Sequence, residues 1–229
     1  MKVDLKKYAE LIVKVGANVQ AGQKVRLYAE VSQQPLVEAI VEECYKAGAK
    51  LVEMFWQCGE VSRLHYTYAS PETLGTVPTW EEERAKEMAE QLPVRIFIES
   101  ADPDELSGVS PDVLSEVTRS RQKVLKKYRD AIDGRHQWVI AAAAGVKWAR
   151  KVFPDMSDDE AVARLWDAIL SCVYFTDGSD PVELWKSHIA DLEKKAKWLN
   201  EQHFASLKYR SANGTDFSVR LIPGAKWSA

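Results

Sequence analysis

Histidine and cysteine side chains come first in a search for chemistry, because they supply metal ligands, nucleophiles and general bases. The chain contains four histidines and three cysteines: His65, His136, His188, His203, Cys44, Cys58 and Cys172. No histidine stands in a His-Glu-x-x-His pattern or one helical turn from another histidine. His188 and Asp191 are three residues apart on a predicted helix, but two ligands do not complete a metal site. We interpret them as a surface pair.

The cysteines differ in their predicted positions. Cys44 and Cys172 lie on the apolar stripes of predicted helices, which favours packing over reactivity. Cys58 directly follows a predicted strand, at the kind of loop position where ligands bind in α/β folds. It is therefore the candidate reactive thiol, and its role, like that of His188, is left open.

Other site patterns are missing from the sequence. No Gly-x-Ser-x-Gly elbow is present, which disfavours a serine hydrolase of that type. Residues 31–35, after the first predicted strand, contain no glycine, and the Gly-x-Gly-x-x-Gly and phosphate-loop patterns are absent. The residues alone therefore predict no catalytic, cofactor-binding or metal-ligating residue on this chain.

Composition and charge limit the partners. The 229 residues are 46% hydrophobic and 28% charged, with a formal net charge of -3, so nucleic acid and anionic membranes are not predicted partners. One basic cluster lies on a predicted helix, and we interpret it as a solvated face or a contact with another domain: Arg119, Arg121, Lys123, Lys126, Lys127 and Arg129. The longest uncharged apolar run, 138–146, is shorter than the ~20 residues of a membrane span. The odd cysteine count and the absence of a signal peptide predict a cytoplasmic protein.

The first 150 residues alternate between strand and helix patterns. Near-continuous apolar runs predict strands over 24–31, 51–56, 94–99 and 136–143. Helices are predicted over 5–15, 35–47, 61–69, 81–92 and 111–132, with Thr79 and Glu82 capping the fourth of these. This order predicts an α/β fold, with a mainly parallel sheet flanked by helices.

The remainder is predicted to be helical and to end in a hairpin. Ser157 and Glu160 form a capping box, and Asp180-Pro181 begins another helix. The apolar stripe of that last helix favours core packing over a coiled-coil seam: Val182, Trp185, Ile189, Leu192, Ala196 and Leu199. Strands over 206–210 and 216–221 flank Asn213-Gly214, a dipeptide suited to a tight turn.

A two-stranded hairpin is marginal by itself. We therefore expect it to open a second, truncated domain, and to be either mobile or paired with another copy. The predicted domains are 1–203, an amino-terminal α/β domain, and 204–229, the first hairpin of a carboxy-terminal catalytic domain.

Short segments spread in order along the whole chain carry a family resemblance. They are Tyr8-Ala9-Glu10-Leu11, 16–23, Ala47-Gly48-Ala49, Trp148-Ala149, Val152-Phe153-Pro154-Asp155, Asp180-Pro181 with Trp185 and His188, and Asn213-Gly214-Thr215-Asp216-Phe217. Together they resemble the aminopeptidase T family, also called thermophilic aminopeptidases. The chain departs from the family pattern at 141–144, four alanines in place of a proline–threonine pair, and at Cys58, where aspartate is usual.

The resemblance implies a function for a longer parent protein. Members of the family are cytoplasmic exopeptidases with two divalent metal ions, and they are about twice as long as this chain. Their metal ligands and acid–base groups lie in the carboxy-terminal domain. This chain would then be the amino-terminal half of a metal-dependent aminopeptidase that hydrolyses amino-terminal residues from peptides, supplying scaffold, cavity and interdomain contacts.

The resemblance also implies cofactors and partners. The parent would hold two divalent ions (zinc, cobalt or magnesium), with none on this chain, would act on peptides and would form a homodimer. The chain alone would be inactive. The alternative is a non-enzymatic α/β module that holds a small ligand at the carboxyl ends of its strands.

Overall fold

The structure, a computed structural model, describes residues 3–175 and 180–229. These two ranges fall into two compact units, divided between residues 176 and 177. The strands of the first unit are β1 (Lys24–Glu30), β2 (Leu51–Gln57), β3 (Val94–Glu99) and β4 (Trp138–Ala142). Its helices are α1 (Leu5–Leu11), α2 (Gln34–Lys46), α3 (Gly59–Tyr68), α4 (Pro71–Gly75), α5 (Thr79–Gln91), α6 (Pro111–Ile132), α7 (Val146–Val152) and α8 (Asp158–Cys172).

The four strands of the first unit form one sheet in the order β2-β1-β3-β4. Every neighbouring pair is parallel, with Leu27 of β1 opposite Met54 of β2 and Ile96 of β3. The prediction of an α/β fold with a parallel sheet is confirmed. The first two strands are joined by α2, and α3, α4 and α5 lie between β2 and β3 in the chain. Each connection is thus long enough to return the chain to the start of a parallel neighbour.

Helices cover both faces of this sheet. On one face Val25, Leu27 and Ala29 of β1 are fully buried. The π-helical turn that continues α1 over Ile12–Gly16 packs closely on that face: a Cβ added to Gly16 would lie 2.8 Å from Val139 of β4. On the opposite face, side chains of β1 contact α5. Successive side chains of a strand point to opposite faces of the sheet, so β1 contacts the helices on both faces.

The face beneath α5 holds an arginine and a row of aromatic rings. Arg26 of β1 is only 3% exposed, and it donates from Nε to Glu53 (2.8 Å) and from Nη2 to Glu87 of α5 (3.0 Å). Beside it, the Tyr28 ring stacks on Phe55 and on Phe97, with centroids 4.9 and 4.8 Å apart. Two carboxylates offset the loss of solvation that burial of a guanidinium entails.

Tyr8 of α1 links the amino-terminal helix to the sheet. Its side chain is 2% exposed, and its hydroxyl donates to the carbonyl of Ala142 at the end of β4, 2.8 Å away. Its ring meets Trp166 of α8 edge to face, with centroids 5.9 Å apart. Burial raises the pKa of the Tyr8 hydroxyl to about 12, and its hydrogen bond to Ala142 opposes the rise only in part.

We expect Tyr8→Phe to lower the free energy of unfolding by about 1 kcal/mol, because the Ala142 carbonyl loses its donor. The pKa of Tyr8 is raised above its ordinary value of 10.0 to about 12. The wild-type chain should therefore lose stability as pH rises from 10 to 12, because only the unfolded chain ionises there, and the variant should lose less. Urea unfolding at pH 7 and pH 11 measures both effects. Tyr68→Phe, at a side chain 83% exposed, is the control and should change neither.

The second unit contains α9 (Pro181–Gln202), β5 (Ser206–Arg210) and β6 (Asp216–Arg220). Asp180 caps α9 as predicted, since its carboxylate accepts a hydrogen bond from the Val182 N–H at 2.9 Å. The two strands pair antiparallel, which confirms the predicted hairpin. Its turn includes Asn213-Gly214 and has the length that the predicted strand bounds left for it. It spans 211–215, because the Asn213 side-chain oxygen accepts from the Thr215 N–H (3.2 Å) and the backbone closes from Ser211 N–H to the Thr215 carbonyl (3.0 Å).

Much of the apolar surface of the second unit is exposed. Ile189 and Leu192, in the middle of the predicted stripe, are exposed, so the core-packing interpretation is wrong for them. Phe217 and Val219 of β6 are also exposed. A stripe identifies a face that can be buried, but the partner that buries it need not lie in the same stretch of chain. The unit joins α9 to the hairpin, whereas the predicted boundary between 203 and 204 stays a prediction.

Three local predictions need correction. Thr79 does not cap α5, because the Pro78 carbonyl already accepts from Glu81 and Glu82, which places Thr79 inside the first turn. Cys172 is exposed rather than packed, since it lies in the last turn of α8, beyond the buried Leu170. Strand β4 begins at Trp138, two residues later than predicted, because the Gln137 side chain donates to the carbonyls of Ala17 and Asn18 at that point. Two helices, α4 and α7, were not predicted.

No helix among the described residues is long and apolar enough to cross a membrane.

Candidate functional site

The sheet order creates a crevice between two of its strands. From β1 the chain moves to β2 on one side, and β3 and β4 then lie on the other side, so the direction of winding changes between β1 and β3. In open α/β sheets, ligands bind outside the carboxyl ends of the strands at such a switch point. The last residues of β1 and β3 are Glu30 and Glu99. The candidate site therefore begins with two carboxylates.

These two side chains line a cleft of ≈ 530 Å³ at the carboxyl edge of the sheet. The end of β2 contributes Gln57, and Cys58 follows it directly. Helix α3 supplies His65, and the segment after β3 supplies Glu105. We call this cleft the carboxyl-edge cleft. Its carboxylates give it negative charge, which suits a cationic group such as an ammonium.

Glu30 has a raised pKa in this cleft. Burial raises its pKa, and repulsion from Glu105, Glu60 and Glu99 adds to the rise. A hydrogen bond from the Gly59 backbone to the carboxylate opposes the shift. Like charges held together in a cleft favour the neutral form of one of them, or a bound cation.

The rim of the carboxyl-edge cleft is held by ion pairs. Lys147 of α7 donates to Glu60 of α3 at 2.7 Å and lies 3.6 Å from Asp102. This contact lowers the pKa of the Glu60 carboxyl and raises that of Lys147. Arg63 donates to the backbone carbonyl of Ser107 at 3.0 Å. Together these contacts fasten the segment after β3 to α3 and α7, which fixes one wall of the cleft.

Cys58 lies where the sequence predicted, at the carboxyl edge beside the cleft. Its thiol donates to the Glu60 carboxylate, with 3.6 Å between sulfur and oxygen. That carboxylate is also paired with Lys147, and the hydrogen bond does not form the cysteine–histidine pair of a thiol nucleophile. Cys44 is buried, as predicted, and burial raises its pKa to about 12.

The histidines are dispersed through both units. His65 lines the carboxyl-edge cleft. His136 contacts the Ile132 carbonyl through Nδ1 at 2.9 Å, and His203 ends α9 in a left-handed conformation. His188 meets the Trp185 ring edge to face, whereas Asp191 pairs with Lys195 at 2.7 Å.

A two-metal centre does not fit the residues present. Among residues 3–175 and 180–229, no group of three or more His, Cys, Asp or Glu side chains is arranged to hold a metal ion. The carboxyl-edge cleft supplies single donors from several elements, but they do not converge. No hydrolytic step is therefore assigned to the side chains of this chain.

The basic cluster of α6 is mostly exposed, and two of its six side chains contact other elements of the first unit. Arg121 pairs with Glu81 of α5 and donates to the carbonyls of Leu74 and Thr76. Lys127 donates to Glu82 at 3.0 Å. The interpretation as a purely solvated face is therefore incomplete, because part of the cluster fastens α6 to α5.

We expect Glu30→Gln to stabilise the chain modestly at pH 7, by about 0.5 kcal/mol or less because solvent screens a partly exposed group. The pKa of Glu30 is raised in the folded state, so the cost of its charge appears as pH rises through that value. Below the ordinary carboxyl pKa the difference between wild type and variant should vanish. Thermal unfolding at pH 7 and pH 4 measures this. Glu90→Gln, on an exposed side chain of α5, is the control, and an equal gain there would contradict the explanation.

Sequence reasoning singled out Cys58 but missed Glu30 and Glu99. Both acids end an apolar strand, and that position was a usable signal once a parallel sheet was predicted. The strand order was needed as well, because it decides which two strand ends flank the crevice.

Comparison with known proteins adds to this geometry. The protein family described as thermophilic metalloprotease (M29) matches residues 1–229. Aminopeptidase AmpS of Bacillus subtilis is 36% identical over 225 residues, which cover 98% of this chain and 54% of that protein. Aminopeptidase T of Thermus thermophilus is 31% identical, over 99% of this chain and 55% of that protein. The chain thus spans about half the length of the curated relatives it matches.

A solved structure of a protein from the same group of relatives has a similar fold. Wild-type AmpT from Thermus thermophilus superposes with a TM-score of 0.83 at 30% sequence identity. The superposition covers 95% of this chain and 53% of that chain. The same fold therefore forms one half of a longer protein there.

Proposed function

The chain belongs to the thermophilic metalloprotease (M29) family, and we propose that its parent protein is a metal-dependent aminopeptidase that hydrolyses amino-terminal residues from peptides. The observation that carries this is the family match over the whole chain, joined by relatives that are named aminopeptidases. The alternative, a non-enzymatic module that holds a small ligand, has no comparable support.

We propose that this chain supplies scaffold, cavity and interdomain contacts. The first unit is a parallel sheet flanked by helices, and its carboxyl-edge cleft carries Glu30, Glu99 and Glu105. In the parent protein this cleft would form part of the cavity that peptides enter, and its negative charge would attract their ammonium termini. Such a role concerns binding, so variants in the cleft should change KM more than kcat.

The divalent ions of the parent protein are proposed to lie outside this chain. The family implies metal cofactors, and zinc, cobalt or magnesium are the ions we propose to test. When bound, such an ion polarises the scissile carbonyl and activates water. Among the described residues none forms a group able to hold it. We therefore propose that the metal ligands lie in a second half of the parent protein, which corresponds to the half of the relatives that this chain does not match.

The hairpin of the second unit is the proposed start of the interdomain contact. Strands β5 and β6 expose Tyr209 and Phe217, whose rings stack with centroids 4.8 Å apart. A two-stranded ribbon with exposed aromatic side chains is stable only when another element covers it. We propose that the carboxy-terminal domain does so, and that residues 204–229 belong structurally to that domain.

Two further proposals concern assembly and location. We propose a homodimer, as the family resemblance implies, and light scattering of the parent protein tests it. We also propose the cytoplasm as its compartment, since the three cysteines are free thiols and a reducing setting keeps them so.

The test of the proposed function is an assay of the longer protein. We would fuse residues 1–229 to the part of Bacillus subtilis AmpS that the chain does not match, and assay release of amino acids from aminoacyl p-nitroanilides with each metal. Metal-dependent turnover that a chelator abolishes supports the proposal. A folded fusion that binds metal but cleaves no amino-terminal residue would favour the alternative module.

A further inference from the structure

A second cavity lies on the opposite side of the sheet from α1 and α2. It measures ≈ 200 Å³ and lies between the sheet, α5 and α6. Among the described residues that line it, four are arginines and one is a glutamate: Arg26, Arg84, Arg95, Arg129 and Glu81. This cavity, the arginine pocket, is separate from the carboxyl-edge cleft, with which it shares no lining residue.

The charges in the arginine pocket do not balance. Arg26 is satisfied by Glu53 and Glu87, and the single lining carboxylate, Glu81, is engaged by Arg121. Among the described residues, no carboxylate lies within ion-pair distance of the guanidinium groups of Arg84, Arg95 or Arg129. Three positive charges therefore line one small cavity without a counter-ion from the described part of the chain.

Arg95 supplies the most specific observation. It lies on β3, opposite Arg26 of β1 in the parallel register. Its guanidinium lies over the Phe97 ring, with 4.6 Å from Cζ to the centroid, and over the Tyr28 ring at 5.8 Å. Its Nε is buried, and no hydrogen-bond acceptor among the described residues reaches it. A buried N–H of a charged group without an acceptor is costly, so this guanidinium lacks the compensation that Arg26 receives from two carboxylates.

The other two guanidiniums are held in place without being neutralised. Arg84 of α5 lies over the Phe55 ring (4.9 Å) and the Trp80 ring (5.1 Å). Stacking on aromatic faces fixes the plane of a guanidinium and leaves its N–H groups free to donate. Arg129 is exposed at the mouth formed by α6, so the pocket has access to solvent.

We propose that the arginine pocket binds a small oxyanion, a phosphate or a carboxylate, with Arg95 as its principal ligand. Planar guanidiniums form paired hydrogen bonds with the oxygens of these two groups. A volume of ≈ 200 Å³ has room for a small anion. This inference does not depend on the peptidase proposal, because the pocket lies wholly within the first unit.

The experiment is calorimetric titration of the 229-residue chain with inorganic phosphate and, separately, with succinate. We expect one of them to bind at one site per chain, more weakly as sodium chloride is raised. Arg95→Gln should weaken binding by about tenfold, the usual cost of losing a charged hydrogen-bond donor. Arg129→Gln should weaken it less, since its side chain is exposed. Arg119→Gln, an exposed arginine on the same helix outside the pocket, is the control and should bind like wild type.

The two titrants separate the two sources of the oxyanion. Binding of phosphate alone assigns the pocket to phosphate, and binding of succinate alone assigns it to carboxylates. Absence of saturable binding of either would overturn the proposal, and so would binding that Arg95→Gln leaves unchanged. If circular dichroism shows that Arg95→Gln does not fold, Arg84→Gln provides the same test from the helix side.

Discussion

The 229-residue chain alone should release no amino acid from aminoacyl p-nitroanilides, with zinc, cobalt or magnesium present or absent. The physical reason is that hydrolysis of an amide near neutral pH needs an activated water or a nucleophile. Among the described residues no cluster of side chains can hold a metal ion that would activate water. The thiol of Cys58 donates a hydrogen bond to Glu60 and has, within the same described ranges, no histidine partner of the kind that activates a cysteine nucleophile. The expected difference from a complete aminopeptidase is several orders of magnitude in rate.

The measurement compares three proteins under one set of conditions: the chain, its fusion to the remaining part of AmpS, and AmpS itself. The fusion and AmpS should turn over substrate, and the chain should match a blank without protein. Elemental analysis of the purified chain should find no stoichiometric transition metal. Turnover by the chain that survives further purification, or about one tightly held metal per chain, would show that a site exists in it.

The parallel sheet was predictable because each strand is a short apolar run separated from the next by a helical pattern. Leu27, Ile96 and Ile98 are buried at positions that the runs indicate. The order of strands was not predicted, because apolar runs show which segments are buried and not which are neighbours. Helix α7, from Val146 to Val152, escaped prediction since seven residues give too few turns for periodicity.

The candidate site was only partly predictable, because it too depends on which strands are neighbours. Cys58 could be placed at the carboxyl edge from its position after a strand, but Glu30 and Glu99 become neighbours only when β1 and β3 pair. Predicting the arginine pocket would have required the packing of a helix as well as the order of the strands. Arg26 and Arg95 interrupt apolar strands at the same register, but the contact of Arg26 with Glu87 and the cavity beside it depend on how α5 packs. Tertiary contacts of this kind leave little trace in local sequence patterns.

The stripe of α9 illustrates the opposite case, in which the pattern was clear but part of the face is exposed. Ile189 and Leu192 repeat at helical spacing, yet both are exposed in this chain. The spacing is a reliable sign of a face that becomes buried in some state of the protein. We propose that the part of the relatives that this chain does not match supplies the cover for this face.

The loops that follow β3 and β4 approach each other closely beside the carboxyl-edge cleft. The Ala143 N–H donates to the Glu99 carbonyl at 2.8 Å. One residue farther along the first loop and two farther along the second, a Cβ added to Gly145 would lie 2.2 Å from the carbonyl oxygen of Ser100. Real Cβ atoms do not approach a backbone oxygen so closely, and Ser100 is 5% exposed, so it has little room to move. Gly145 is therefore required at this position for its lack of a side chain.

We expect Gly145→Ala to lower the free energy of unfolding by about 3 kcal/mol, the upper part of the range for overpacking, because backbone must shift to relieve the contact. In a chain of this size the melting temperature should fall by roughly 6–12 °C. Gly59→Ala is the matched control: its new Cβ would meet the flexible carboxylate of Glu105 at 3.0 Å, so the change should stay within about 0.5 kcal/mol. Thermal unfolding followed by circular dichroism measures both. A Gly145→Ala variant as stable as Gly59→Ala would mean that the two loops separate readily, and Glu99 would then not be held rigidly at the edge of the cleft.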